Sequence, residues 1–300
     1  MSILHHSMTG DAAAGENLAF DLQAYLSRIG LDAPPAATVE GLARVQRAHR
    51  HSIPFENLDV VLGRGISLDP GAVFDKLVRR KRGGYCFEQN SLLEDALRAL
   101  GFSVRSLLGR VWLGAGHDRI PPVTHQLELV EIDGRDWIAD AGFGGCFCPP
   151  MPLANGNIET GPDGAQHRLR SDARVGWMLE RLGPSATTDG RGKGEGWQAQ
   201  YSFTLDPVHD SDRELSNHWA STRPGARFTS LLITSRILED GGFLSLNGRE
   251  LRTSRLVGAS ETITLDNAIS MRDAFARSFD IQLDEHEAQR VWEFADHRSL

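Results

Sequence analysis

The sequence predicts an α+β fold in three parts: an N-terminal helical bundle, a central β-barrel and a C-terminal α/β lid. Three observations carry this. Apolar residues recur at helical spacing through most of the first hundred positions. From 103 to 205, short alternating runs are separated by Gly- and Pro-rich connections, the pattern of strands. Beyond Phe228 the two patterns mix. The corresponding divisions are 1–102, 103–205 and 206–300.

The first helix spans Glu16 to Ile29, with Leu18, Leu22, Tyr25, Leu26 and Ile29 on one face. Thr38 can cap a second helix that runs to about Arg50, before Pro54. Asp69-Pro70 is a cap followed by a proline at the first helical position, and starts a helix to about Lys81. A fourth helix carries Leu92, Leu93, Ala96, Leu97 and Leu100 and stops at Gly101. Strands follow at Val104–Leu113, His125–Ile132, Arg135–Ala141, Arg174–Arg181 and Trp197–Leu205. Leu244 to Leu251 reads as a hairpin around Asn247-Gly248. Asp266 can cap a helix through about Phe275, and Asp284 another through about Phe294.

Cys86 lies in Arg82-Gly83-Gly84-Tyr85-Cys86-Phe87-Glu88-Gln89-Asn90, after a two-glycine break and at the head of the fourth helix. A helix N-terminus and nearby arginines both favour thiolate over thiol, the setting of a nucleophilic cysteine. Alone, such a cysteine also reads as a small core residue. Its partners come from a hairpin. Asp133-Gly134 between two strands signals a two-residue type I′ turn, which pairs Ile132 with Arg135. Leu127 then faces Asp140, and His125 faces Gly142. His125 and Asp140 become diagonal neighbours on one face, roughly 7–8 Å apart at the backbone and within side-chain reach. A β-bulge in this hairpin would break the inference. An imidazole beside a carboxylate is the base and orienter of a catalytic triad, and Cys86 supplies the nucleophile.

Five segments in order are similar to those of the arylamine N-acetyltransferases. They are Ser52-Ile53-Pro54-Phe55-Glu56-Asn57-Leu58, Arg82 to Asn90, Thr124-His125, Asp140-Ala141-Gly142-Phe143-Gly144-Gly145, and Asn217 to Phe228. The resemblance covers roughly residues 17 to 280. A short N-terminal arm and a Gly-rich stretch near 183–196 depart from it. It implies the same three-part layout around a papain/transglutaminase-like Cys-His-Asp core. It also implies ping-pong acetyl transfer from acetyl-CoA, through acetyl-Cys86, to small aromatic amines or hydrazines. Phe55, Phe143 and Phe203 are implied for the acceptor pocket, and Thr124, Gly142, Gly144 and Thr222 for substrate and CoA contacts. A thiol hydrolase, or an amide synthase of the same fold, would use the same triad.

Composition narrows the rest. A net charge of −8 argues against general nucleic-acid binding. The local run Arg79-Arg80-Lys81-Arg82 reads as a solvated helix end or a phosphate-attracting patch. No stretch approaches the roughly 18 apolar residues of a membrane span, and Met1 to Gly15 lacks a secretory core. Three cysteines, Cys86, Cys146 and Cys148, without a leader fit a reducing cytoplasm. Cys146-Phe147-Cys148 lacks the second ligand pair of a zinc site, so no metal is expected. No tightly bound cofactor is expected, only acetyl-CoA as co-substrate. Homo-oligomerisation stays open.

Overall fold

The structure is a computed structural model that describes residues 20–115, 119–192 and 196–297. The expected helix from Glu16 begins outside these residues. Its described part is α1 (Leu22–Arg28), capped by Asp21 Oδ1 on the Ala24 amide. Thr38 caps α2 (Val39–Ser52), accepting from the Gly41 amide. A two-residue strand, β1 (Phe55–Glu56), leads into α3 (Leu58–Val61). Asp69 caps α4 (Pro70–Phe74), and the chain then widens into a π-helical stretch at Asp75–Arg79. The sequence read 70–81 as one helix; the widening turns Lys76 inward. Lys76 Nζ lies 2.7 Å from both Asp59 and Glu88 carboxylates. Next comes α5 (Cys86–Ala99), buried along most of its length and closed by Gly101 at φ +88°.

The central strands are β2 (Ser103–Val111), β3 (Val123–Ile132), β4 (Arg135–Ala139), β5 (Met151–Pro152), β6 (Ile158–Thr160), β7 (Gln166–Asp172), β8 (Gly176–Leu182) and β9 (Gln198–Phe203). They form one antiparallel sheet in the order β5-β4-β3-β2-β9-β8-β7-β6, barrel-like but open between β5 and β6. The sequence reading missed β5, β6 and β7. β7 is Gln-His-Arg-Leu-Arg-Ser-Asp, and only His167 and Leu169 of it are buried, so the alternation is almost all polar.

The remaining elements are α6 (Asp210–Thr222), α7 (Arg227–Ser230), β10 (Ile233–Ile237), β11 (Phe243–Asn247), β12 (Glu250–Ser254), β13 (Glu261–Thr264), α8 (Ala268–Phe279) and α9 (Glu285–His297). The four later strands join β1 in a five-stranded sheet ordered β1-β10-β11-β12-β13. In the β11–β12 hairpin Asn247 pairs with Glu250, so the turn is Gly248-Arg249, one residue later than an Asn-Gly turn. Positive φ falls on Gly248, where glycine tolerates it.

One apolar cluster packs α1, α2, α4 and α5 against β3 and β4 through Tyr25, Leu42, Leu77, Leu93, Leu97 and Val130. A second fills the barrel interior with Leu107, Leu127, Leu169, Leu179 and Tyr201. A third packs α8 and α9 on the smaller sheet through Leu246, Met271, Phe275 and Val291. α5 therefore sits between the helical layer and β3, which brings its first turn against the barrel end. No helix among the described residues is long and apolar enough to cross a membrane.

Candidate active site

The β3–β4 hairpin forms as a type I′ turn, with φ +51° at Asp133 and +71° at Gly134. Ile132 pairs with Arg135, and the ladder runs unbroken to Glu128 opposite Ala139. A bulge does occur beside His125, on the other edge of β3. Gly109 pairs with His125 and Arg110 with Val123, so Thr124 is the extra residue. It leaves the β4 register intact and turns the Thr124 carbonyl toward the thiol, where it accepts from Cys86 Sγ at 3.5 Å.

His125 Nε2 lies 2.7 Å from Asp140 Oδ2, with both side chains buried. Cys86 lies beside the same imidazole, and both line one cleft. Burial disfavours the imidazolium, but the Asp140 carboxylate and Cys86 outweigh it, and the His125 pKa is raised to about 10. Burial likewise opposes ionisation of Asp140. The His125 charge, with hydrogen bonds from His125, Asn90 and the Gly142 amide, overcomes it and holds the carboxyl below its usual range. The Asp140 carboxylate therefore favours the charged imidazole, and the charged imidazole favours the carboxylate.

The nearby cation expected from the arginine run is a different group. Arg82 is buried and turned away, 3.1 Å from Glu56 and 3.5 Å from Asp59. Arg79, Arg80 and Lys81 are the exposed part of that run. The charge beside Cys86 comes from His125 instead.

Cys86 opens α5 as its first helical residue. Four residues later, on the same face, Asn90 donates to Asp140 Oδ1 at 3.0 Å and to the Gln126 carbonyl, and accepts from the Ala141 amide at 2.9 Å. From α2, Gln46 accepts from the Asp140 amide at 2.9 Å. Arg50, fully buried, donates to the carbonyls of Ala141 and Phe143 at 3.3 and 3.0 Å. The sequence reading missed these three polar residues. Each occupies a helix position that reads as ordinary polar surface until β3 and β4 cover it.

Cys86 and His125 open onto a cleft of about 770 Å³. Thr124, Phe143, Gly142, Gly144 and Phe55 line it, as expected of an acceptor or donor site. Phe143 meets His125 edge-on at 5.4 Å between ring centroids. Phe228, Trp219, Arg191 and Arg227 join the wall without having been singled out from the sequence. Two expected residues do not line this cleft. Phe203 is in the barrel core and borders a second depression, because Tyr201, two residues earlier on the same face, takes the place against His125 at 4.8 Å. Thr222 ends α6 exposed, its hydroxyl spent on the His218 carbonyl at 2.6 Å. Gly142 and Gly144 have a packing reason of their own. A Cβ on Gly142 would lie 2.7 Å from Cys86 Cα, and one on Gly144 2.8 Å from the Phe55 ring. Cys146 and Cys148 are buried free thiols, and burial pushes both up, Cys146 to about 12.

A family model described as N-acetyltransferase matches residues 38–288. An arylamine N-acetyltransferase of Mycolicibacterium smegmatis is 38% identical over 271 residues, 89% of this chain and 94% of that relative. The chain belongs to the arylamine N-acetyltransferase family. A Salmonella typhimurium relative, named arylamine N-acetyltransferase / N-hydroxyarylamine O-acetyltransferase, is 38% identical over 86% of this chain and 88% of its own length. Among solved structures, the Salmonella typhimurium arylamine N-acetyltransferase superposes with a TM-score of 0.83, covering 91% of this chain and 97% of that one at 35% identity. A Mycobacterium marinum arylamine N-acetyltransferase in complex with CoA gives 0.81, covering 91% and 99% at 31% identity.

Proposed function

We propose that the protein transfers an acetyl group from acetyl-CoA to arylamines or arylhydrazines by a ping-pong route through acetyl-Cys86. One observation carries this in a chain of this family. A Cys86–His125–Asp140 relay, with the carboxylate 2.7 Å from the imidazole, opens onto an aromatic-walled cleft. In this reading the Cys86 sulfur attacks the thioester carbonyl and CoA leaves as the thiol. His125 returns its proton to that leaving sulfur. The arylamine nitrogen then attacks the acetyl-enzyme, His125 takes the amine proton, and Cys86 is released. Asp140 fixes the imidazole orientation and offsets its charge. The thioester exchange is nearly balanced, so the acetyl-enzyme is a reasonable resting intermediate.

Phe55, Phe143 and Phe228 supply flat apolar walls for an aryl ring. Residues 1–102 then contribute the nucleophile, 103–205 the base and carboxylate, and 206–300 the outer wall. A cytoplasmic setting, where acetyl-CoA is held and thiols stay reduced, fits three unpaired cysteines.

Intact-protein mass spectrometry tests the reading. Acetyl-CoA without amine should add one acetyl group, mapped to Cys86, and an arylamine should remove it. Loss of the acetyl group to water at a comparable rate would favour a thiol hydrolase. Acylation only from a carrier-bound chain would favour an amide synthase.

A further inference from the structure

Four lysine or arginine side chains are buried among the described residues: Arg50, Lys76, Arg82 and Arg181. Three of them rest on carboxylates, Lys76 on Glu88 at 2.7 Å, Arg82 on Glu56 at 3.1 Å and Arg181 on Asp163 at 2.8 Å. Arg50, at 1% exposure, is the most buried of the four, and no carboxylate among the described residues is within ion-pair reach of it. Its donors go to the Ala141 and Phe143 carbonyls instead. A buried guanidinium with no carboxylate against it is costly, so the groups that tolerate it are informative. One is the last turn of α2, where Arg50 sits at the negative end of the helix dipole. The other is Asp140. Burial lowers the Arg50 pKa, and the Asp140 charge chiefly opposes that.

The two carbonyls lie just past Asp140 in the chain. A trans peptide points its N–H opposite to its C=O. Drawing the Ala141 carbonyl onto Arg50 therefore aims the Gly142 amide the other way, where it donates to Asp140 Oδ1 at 2.8 Å. The Phe143 carbonyl takes the second arm of the same guanidinium, and the Phe143 ring stands edge-on against His125. We propose that Arg50 is a positioning residue for the Cys86–His125–Asp140 relay: it holds the 141–143 segment by two carbonyls and stabilises the Asp140 carboxylate by its charge. The proposal rests on the role given to that relay in the acetyltransferase reading above. Other titratable groups face these residues. Tyr201 and Cys148 lie near Asp140, and Cys146, His49 and His51 lie near Arg50. Burial raises Tyr201, Cys146 and Cys148 and lowers His49 and His51, so none of the five supplies a competing charge near neutral pH. The sign of the Arg50 charge is then simple. Each proton lost from the relay makes it more negative, and a nearby cation favours that loss whichever group titrates.

The test follows the pH dependence of Cys86 alkylation by iodoacetamide, mapped by peptide, beside the rate of Cys86 acetylation at saturating acetyl-CoA. In Arg50→Gln the alkylation midpoint should move up by about half a pH unit, less than the loss of a direct ion pair would give. Its saturated acetylation rate should fall about tenfold or more, because small displacements at a reacting centre are costly, while the half-saturating acetyl-CoA concentration stays near wild type. Arg50→Lys keeps the charge but loses the planar fork that spans two carbonyls. Its midpoint should match wild type and its rate should still fall. Arg28→Gln is the structural control. Arg28 also donates to three carbonyls, those of Leu77, Ser52 and Lys81, away from the relay. Its loss should lower Tm and leave both midpoint and rate in place. An Arg50→Gln midpoint that stays put or moves to lower pH would overturn the proposal, and so would a wild-type acetylation rate in both Arg50 variants. Should Arg50→Gln fail to fold, Arg50→Lys decides by its rate, and a wild-type value there overturns the proposal. A wild-type protein that alkylates at Cys86 but takes no acetyl group from acetyl-CoA would sink the acetyltransferase reading, while the midpoint comparison would still judge Arg50.

Discussion

Asn90 donates its side-chain amide to Asp140 Oδ1 at 3.0 Å, so the helix that presents Cys86 also grips the carboxylate that orients His125. α5 thereby ties the nucleophile to the carboxylate that β4 delivers. Cys86 and Asn90 both lie within the first two turns of α5, and Asn90 also accepts from the Ala141 amide. Asn90→Ala should unlock it. The Ala141 amide and the Gln126 carbonyl lose a buried partner, and Asp140 Oδ1 keeps only the Gly142 amide at 2.8 Å. Each orphaned buried group costs about 1–3 kcal/mol, so a lowered Tm is expected. If Asn90 positions Asp140, then acetylation of Cys86 should also slow and its pH profile should shift. A lowered Tm with an unmoved pH profile would make Asn90 structural only.

Asp140→Asn should return His125 to neutral imidazole at pH 8, read directly by NMR of the ring. An amide cannot balance an imidazolium, so acetylation should fall by about 10³–10⁴-fold, as for a triad carboxylate elsewhere. The stability consequence has a definite sign. The native His125 pKa is raised to about 10, against 6.5 unfolded, so its stabilisation is full below pH 6.5 and lost as pH rises through 10. Asp140 is held below the ordinary carboxylate value of 3.8, so its share is present above that pH and lost as pH falls. The Tm gap between wild type and variant should therefore be widest between about pH 4 and 6.5 and narrow toward pH 10. A gap that widens with rising pH would contradict the ionised pair.

The triad was legible because its geometry is local. Asp133-Gly134 demands a particular turn, the turn sets the register, and the register brings His125 and Asp140 together without any distant contact. Cys86 was legible from a helix start. What supports them was not. Gln46, Asn90 and Arg50 are polar residues on helices, and nothing in their spacing says that a sheet will cover them. α6 was missed for a related reason. Its sequence is Asp-Ser-Asp-Arg-Glu-Leu-Ser-Asn-His-Trp-Ala-Ser-Thr, and it buries only Ser216, Asn217 and Ala220, so it shows no apolar stripe. The resemblance implied Phe203 for the pocket, but Tyr201, two residues earlier on the same face of β9, is the aromatic against His125.

A second pH effect should come from the helical layer. His49 is buried with Nδ1 2.9 Å from the Tyr25 hydroxyl and Nε2 2.6 Å from Gln89 Oε1. Gln89 in turn donates to the carbonyls of Pro54, just before β1, and of Gly84, two residues before Cys86. Burial holds His49 neutral and depresses its pKa to about 3. Below about pH 6.5 the unfolded chain takes up a proton that the native residue refuses, so stability falls as pH falls across that window. His167, depressed to about 4, adds to the same slope. His49→Gln should lower Tm at neutral pH, by breaking the chain of hydrogen bonds, yet flatten its decline between pH 6.5 and 4. An unchanged slope in thermal melts across that range would remove His49 from the account.

Gly142→Ala tests why the segment after Asp140 is glycine-rich. The resemblance assigns Gly142 to CoA contact, whereas the packing supplies a reason that needs no ligand. An added Cβ would sit 2.6 Å from Asn90 Nδ2, 2.7 Å from Cys86 Cα and 2.7 Å from the Cys86 carbonyl oxygen. Two of these three atoms are backbone in the first turn of α5, so no rotamer change relieves the clash. The third is the amide that holds Asp140. Either α5 backs away from β4 or the 140–144 segment does, and both movements stretch the line from Asp140 through His125 to Sγ. Overpacking of this kind costs about 1–3 kcal/mol, so the variant should fold with a lower Tm. Its acetylation rate should fall far more than its affinity for acetyl-CoA, because the damage lies at the nucleophile. Gly134→Ala, where a Cβ meets no atom within 4 Å but φ is +71°, separates this clash from mere loss of a glycine. It should cost stability through backbone strain and leave the acetylation rate constant close to wild type. If Gly142→Ala instead raised the half-saturating acetyl-CoA concentration and spared the rate, the glycine would serve the donor, and its contact with Cys86 would be incidental.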